Sequence, residues 1–233
     1  TIIIPDGSIL AAEAPRPVSG YTETILRMID VMFSVFARIA PDRVNGAPYG
    51  TINALLISGK RDTGIPWILF TFFGGGHGGH PDGDGLSHGN APISMATIPP
   101  VEVLESSFPV IFKQWALRPD SGGAGRHRGG LGAVYEIEPL DDEADLVVLG
   151  ERGNYHPPGV LEGLPAEKNN VTYQQDDGTH RPSMGAKLFG AKLKPGQSIR
   201  IESPGGGGYG APEDRALDAI AEDLRLGLIT LER

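Results

Sequence analysis

Trp67-Ile-Leu-Phe-Thr-Phe-Phe73 runs directly into Gly74-Gly-Gly-His77-Gly-Gly-His80-Pro-Asp82-Gly-Asp84-Gly85. The first half is an unbroken strand-forming run of aromatic and aliphatic residues. The second half satisfies G-x-G-x-x-G at Gly74, Gly76 and Gly79. In a dinucleotide-binding fold that spacing opens a helix whose terminal amides hold a pyrophosphate. Here only more glycine, proline and aspartate follow, so the strand ends in a loop and the doubly wound reading fails.

The same habit recurs outward along the chain. Strands are expected at 52–58, 110–117, 133–138, 145–150, 171–174, 186–193 and 198–202, each bounded by Gly, Pro, Asp or Asn. Two helices bracket them. The first spans 22–40, with Ile25, Met28, Ile29, Met32, Val35, Phe36 and Ile39 at the spacing of a buried face. Thr22 is placed to cap its start and Pro41 to stop it, and Leu26, Val31 and Phe33 widen the apolar surface beyond one stripe. The second spans 212–226, with Leu217, Ile220, Ala221 and Leu224 on one face and Pro212, Glu213 and Asp214 at its start. Strands enclosed by helices imply an α+β, β-rich fold with mixed or antiparallel sheets, a buried N-terminal helix and a C-terminal helix. The division expected is 1–100, helix plus strands and glycine loop, and 101–233, β-rich with the C-terminal helix.

Composition narrows the function classes. Glycine supplies 34 of 233 residues, about twice the ordinary ~7%, while 39% apolar residues are too many for a disordered chain. A net charge of −9 repels phosphate backbones, so nucleic acid is not an expected partner. With no cysteine there is no disulfide or thiolate metal site. No apolar run reaches the ~18 residues of a membrane span, and a cytoplasmic home is expected. The start at Thr1, without methionine and at a strand-like run, reads as the start of a fragment.

The first glycine loop carries His77, His80, Asp82, Asp84 and His88. Imidazoles three apart beside carboxylates are able to ligate a divalent metal, but without a helix or known register to converge them the favoured reading is turn-forming side chains facing water. A calcium loop fails because Leu86 takes the next ligand position. Gly85-Leu-Ser87-His88-Gly89 matches the nucleophile elbow but lacks its strand and helix. The second loop, Arg118-Pro-Asp120-Ser-Gly-Gly-Ala-Gly-Arg126-His-Arg128-Gly-Gly130, offers three guanidiniums for a carboxylate or phosphate. The alternative favoured is structural, with Asp120, or the acidic run Asp141, Asp142, Glu143 and Asp145, pairing with an arginine. The third loop, Pro204-Gly-Gly-Gly-Gly-Tyr209-Gly210, is read as a tight turn with Tyr209 packed on a neighbour.

Taken in order, the motifs resemble the hydantoinase B family, which also holds 5-oxoprolinase and acetone carboxylase large subunits. The resemblance is carried by Pro5-Asp-Gly-Ser8, Pro81-Asp-Gly-Asp-Gly85, Pro100-Val-Glu-Val-Leu-Glu105, the highly specific run Leu117 to Gly130, and Ser203-Pro-Gly-Gly-Gly-Gly-Tyr-Gly210. It implies the C-terminal half of a large subunit, forming scaffold and one wall of an active site. Relatives often lack histidines at the positions of His77 and His80. The substrate-contacting candidates are His77, His80, Asp82, Asp84, Arg118, Asp120, Arg126 and Arg128; the catalytic residues are unassigned, and no metal ligand is assigned in this chain.

The resemblance further implies ATP and Mg on a hydantoinase A-type partner subunit of the actin/hexokinase type. A divalent metal (Zn, Mn or Fe) is expected in the N-terminal half of the same subunit. The substrate is a cyclic amide, with ATP-dependent ketone carboxylation as the alternative reaction. A second alternative, from another class, is an amidohydrolase whose nucleophile is Thr1 at a free terminus.

Overall fold

Strand alternation sets the architecture. In a computed structural model, residues 3–18, 21–94, 98–140 and 143–231 are described. Helix α1 (Tyr21–Phe36) leads into β1 (Asn53–Lys60) and β2 (Pro66–Phe73). After α2 (Val101–Ser107) come β3 (Val110–Leu117), β4 (Ala133–Pro139), β5 (Ala144–Leu149) and β6 (Asn170–Gln175). The chain continues with β7 (Gly178–His180), β8 (Lys187–Leu193), β9 (Ile199–Glu202) and α3 (Leu217–Arg225). One sheet has the order β2-β1-β5-β8 and the other β3-β4-β9-β6-β7, and every pairing is antiparallel.

Each sheet turns one side of its alternating pattern inward. Leu55 and Ile57 of β1, Leu69 of β2 and Leu146 of β5 meet Tyr135 and Ile137 of β4 and Ile199 and Ile201 of β9 in one buried cluster. Burial of such side chains is worth about 1.5–3 kcal/mol each, and this two-sheet core is the α+β, β-rich fold expected, with both sheets antiparallel where the sequence allows mixed or antiparallel ones. Two elements were not anticipated. β7 is three residues long and α2 seven, both too short to show a period.

The helices depart from expectation in what they bury. α1 ends at Phe36 and decays through turns before a short 3-10 turn, Pro41–Arg43. The cap expected of Thr22 concerns a side chain outside the described residues. Only Leu26, 2% exposed, is buried among the described side chains of α1. The stripe expected to be buried faces outward, with Phe36 52% and Ile39 74% exposed. The physical reason is placement: neither sheet packs along that stripe. The C-terminal segment is also shorter than expected, a 3-10 turn at Pro212–Asp214 followed by α3. Leu217 is exposed, and the residue α3 buries is Asp223, for an electrostatic reason given below. No helix among the described residues is long and apolar enough to cross a membrane.

Candidate functional site

The three glycine-rich loops lie against one another as extended backbone. Gly76 N–H donates to Pro204 O (2.9 Å), Gly79 N–H to Gly207 O (2.8 Å), Gly130 N–H to His77 O (2.8 Å) and Gly206 N–H to Gly130 O (2.9 Å). Backbones approach this closely only without side chains. A Cβ on Gly206 would stand 1.9 Å from the His77 carbonyl oxygen, and one on Gly76 1.9 Å from that of Gly130. Their amides are therefore engaged by neighbouring carbonyls instead of lining an anion cradle, and the G-x-G-x-x-G spacing of Gly74, Gly76 and Gly79, like that of Gly205, Gly207 and Gly210 in the third loop, does not fit a nucleotide phosphate. Tyr209 is buried beside His127, with the Arg126 guanidinium 6.0 Å over its ring.

This packing distributes the candidate side chains. His77 turns its Nε2 to the Asn90 carbonyl oxygen and stacks on Tyr49. His80 forms a tight backbone turn with Gly83, and Asp82 N–H points at His80 Nδ1 (3.4 Å). Asp84 accepts two hydrogen bonds from Arg215 (2.8 Å each) and one from the Arg128 backbone N–H (2.7 Å). Arg128 donates to Asp223 from Nε (3.2 Å) and Nη2 (3.3 Å), and Arg215 Nη2 reaches Asp223 at 2.6 Å. Two carboxylates and two guanidiniums thus form a closed, mostly buried ring that ties α3 to two loops. Burial pushes the Asp84 carboxyl up, but Arg215 and Arg128 outweigh it and hold it below the usual range.

Other expectations are corrected. Asp120, at φ +60°, accepts a hydrogen bond from Thr230 N–H (2.8 Å) where an arginine partner was expected. The left-handed backbone turns its carboxylate toward the C-terminal segment. In the acidic run, Glu143 pairs with Lys192 (2.6 Å), while Asp141 and Asp142, like Thr1, lie outside the described residues. Arg118 donates to the Lys168 carbonyl (2.7 Å) and lies 3.8 Å from the Glu202 carboxylate, away from Arg126 and Arg128. Ser87 Oγ accepts the Leu131 N–H (3.0 Å) within a loop, as a turn residue does. Among the described residues no three His, Asp or Glu are grouped to hold a metal ion, because His77 and Asp84 are turned to different partners.

Arg126 is the loop arginine left facing a cavity. With Gly83, Asp84, His127 and Arg215 it lines a space of about 460 Å³, and its contact to Pro81 O is long (3.4 Å). Burial, reinforced by the Arg126 charge, lowers the His127 pKa. Asp84, Arg126 and Arg128 are brought together, while His77, Arg118 and Asp120 are not. Arg215 and Asp223 were missed by sequence reasoning; a buried aspartate off the apolar face of the last helix leaves no periodic signal.

Two further polar groupings were also missed. His88, at φ +53°, accepts at Nε2 from Trp115 Nε1–H (3.0 Å) and lies 2.5 Å from the Tyr135 hydroxyl, which in turn accepts Gly74 N–H (3.2 Å). Burial lowers the His88 pKa, leaving a neutral imidazole beside a cavity of about 500 Å³ walled by Phe70 and Phe72. The second lies under α1, where Asp30 pairs with Arg27 (2.8 Å) and Arg152 (2.5 Å). Arg27 and Asp30 at i, i+3 on an apolar helix were the available sequence signal.

Two antiparallel sheets are braced by interlocked glycine loops and a mostly buried ion ring, and comparison shows the family to which this arrangement belongs. Residues 1–212 match the Hydantoinase B/oxoprolinase family model, and the chain belongs to that family. It is 34% identical over 225 residues to an uncharacterised protein of Methanocaldococcus jannaschii, covering 96% of this chain and 38% of that protein. It is 29% identical over 241 residues to caprolactamase subunit beta of Pseudomonas jessenii, covering 98% and 41%. It is 30% identical over 217 residues to 5-oxoprolinase of Dictyostelium discoideum, covering 93% and 16%. The crystal structure of ATP-dependent caprolactamase from Pseudomonas jessenii superposes with a TM-score of 0.85 at 26% identity, over 99% of this chain and 41% of that one. A nucleotide-free acetone carboxylase shares the fold, with a TM-score of 0.68 at 18% identity over 84% of this chain and 30% of that one. The chain thus spans about two fifths or less of each of these relatives.

Proposed function

We propose that residues 1–233 are the C-terminal half of the large subunit of an ATP-dependent cyclic-amide hydrolase of the hydantoinase/5-oxoprolinase type. The observation that carries this reading is the likeness to ATP-dependent caprolactamase over 99% of the chain. In this reading the chain is scaffold and one wall of the active site. ATP and Mg²⁺ belong to a hydantoinase A-type partner, a divalent metal (Zn, Mn or Fe) to the other half of the subunit, and the assembly is cytoplasmic. The outward stripe of α1 supports such an arrangement, since it offers the other half an apolar contact surface. Arg126, with His127 and Arg215 beside it, is the group in this chain that orients an anionic intermediate or product. Arg118, Arg128, Asp84 and Asp120 hold the wall in shape.

The test is turnover by the assembled enzyme containing this chain. Hydantoin, 5-oxoproline and caprolactam are supplied with ATP, and ADP release is matched to opened amide by mass spectrometry. Ring opening of one of them with stoichiometric ADP supports the reading. Carboxylation of acetone from bicarbonate, with all three amides untouched, overturns it.

A further inference from the structure

α1 lines one side of a cavity of about 440 Å³, and the Asn45–Pro48 and Pro158–Val160 segments line the other. Two guanidiniums border it, Arg27 from α1 and Arg152 from the turn after β5. Both lean on a single carboxylate, Asp30, and the Arg152 and Asp30 side chains are only 11% and 15% exposed. Among the described residues, Arg27 Nε and Nη2 and Arg152 Nε are buried with no hydrogen-bond partner. Buried polar groups are almost always satisfied, and this cluster is short of acceptors. Asp30 is already shared, and burial raises its pKa despite both arginines. Glu151 is held at 2.7 Å by Lys187.

The backbone also points here. Arg152 sits at φ +60°, a conformation that few non-glycine residues adopt and that marks functional positions when the surroundings enforce it. The remaining lining is largely apolar, with Val31, Phe33, Ala37 and Pro48. A lining that combines two guanidiniums with hydrocarbon side chains matches an organic acid better than a fully polar oxyanion.

We propose that this cavity binds a small organic carboxylate with an apolar body, its two oxygens bridging Arg27 and Arg152 and its hydrocarbon resting on α1. The site stands on its own geometry, whatever reaction the assembled enzyme performs.

Titration calorimetry on the assembled enzyme tests it, with hexanoate, hexanamide and inorganic phosphate as probes. Hexanoate is expected to bind saturably, one per chain, with hexanamide and phosphate at least about tenfold weaker. Arg152→Met and Arg27→Met should each weaken hexanoate by about tenfold or more, the fold-change of one charge-assisted hydrogen bond. Arg225→Met, on the exposed face of α3, should leave it unchanged. If Arg152→Met does not fold, Arg27→Met, at a more exposed side chain, decides. Absent hexanoate binding, equal binding of hexanamide or phosphate, or undiminished affinity in Arg27→Met overturns the proposal. Ring opening is not read in this assay, so failure of the proposed reaction and failure of this site are separate results.

Discussion

Replacing Gly206 by alanine tests whether the interlocked loops are the keystone of the fold. The new Cβ would stand 1.9 Å from the His77 carbonyl oxygen and 2.1 Å from its carbon. Real Cβ atoms essentially never approach within 3.0 Å, so one backbone must retreat by about 1.1 Å. Three hydrogen bonds run through these atoms: Gly206 N–H to Gly130 O (2.9 Å), Gly123 N–H to Gly206 O (2.8 Å) and Gly130 N–H to His77 O (2.8 Å). A retreat of that size carries bonds of this length beyond hydrogen-bonding range.

At about 0.5–1.5 kcal/mol net for each of the three bonds and about 1–3 kcal/mol for overpacking, the cost is about 2.5–7.5 kcal/mol. Taken at mid-range, that is about half of a typical domain's ~5–15 kcal/mol. Gly83→Ala is the matched control from the same loop, since its Cβ would meet only the His80 ring, at 3.5 Å. Urea unfolding followed by circular dichroism should show a much lower midpoint for Gly206→Ala and a change within about 1 kcal/mol for Gly83→Ala. Equal midpoints for the two variants would falsify the close-packing account.

Four other outcomes are expected. Arg126→Lys should leave the melting temperature nearly unchanged, because its side-chain hydrogen bond to Pro81 O is long and exposed, while turnover of the assembled enzyme falls about tenfold as the planar fork is lost; a lowered melting temperature with normal turnover sinks the ligand role. Asp84 has a folded-state pKa below its unfolded value, so its contribution is present above about pH 4 and lost as pH falls through the folded pKa; Asp84→Asn should flatten the acid limb of stability against pH, and an unchanged limb refutes the ion ring. His88, depressed by burial, should titrate below about 6.5 by NMR, its stabilising effect present above that pH and disappearing as pH drops; titration above it contradicts the neutral imidazole. Changing His77 and His80 together to alanine should leave the metal content of the assembled enzyme nearly constant, and stoichiometric loss reverses the assignment of metal to the other half.

The local part of the structure was legible in the residues. Trp67–Phe73, Val110–Leu117 and Ala133–Glu138 announce strands through composition and bounding turn residues, which act over a few neighbours. The absence of a helix after Gly79 rightly excluded a dinucleotide fold, and the ordered motifs pointed to the family. Tertiary structure decided what lies between residues far apart in the chain. That glycines at 76, 130 and 206 hydrogen-bond to one another's neighbours depends on three loops meeting, and no local pattern encodes the meeting. Asp223 finds Arg128 across 95 residues, so its burial contradicts the apolar periodicity of its own helix. The outward stripe of α1 is the converse case: periodicity shows that a face is amphipathic, but only the placement of the sheets decides whether this chain covers it.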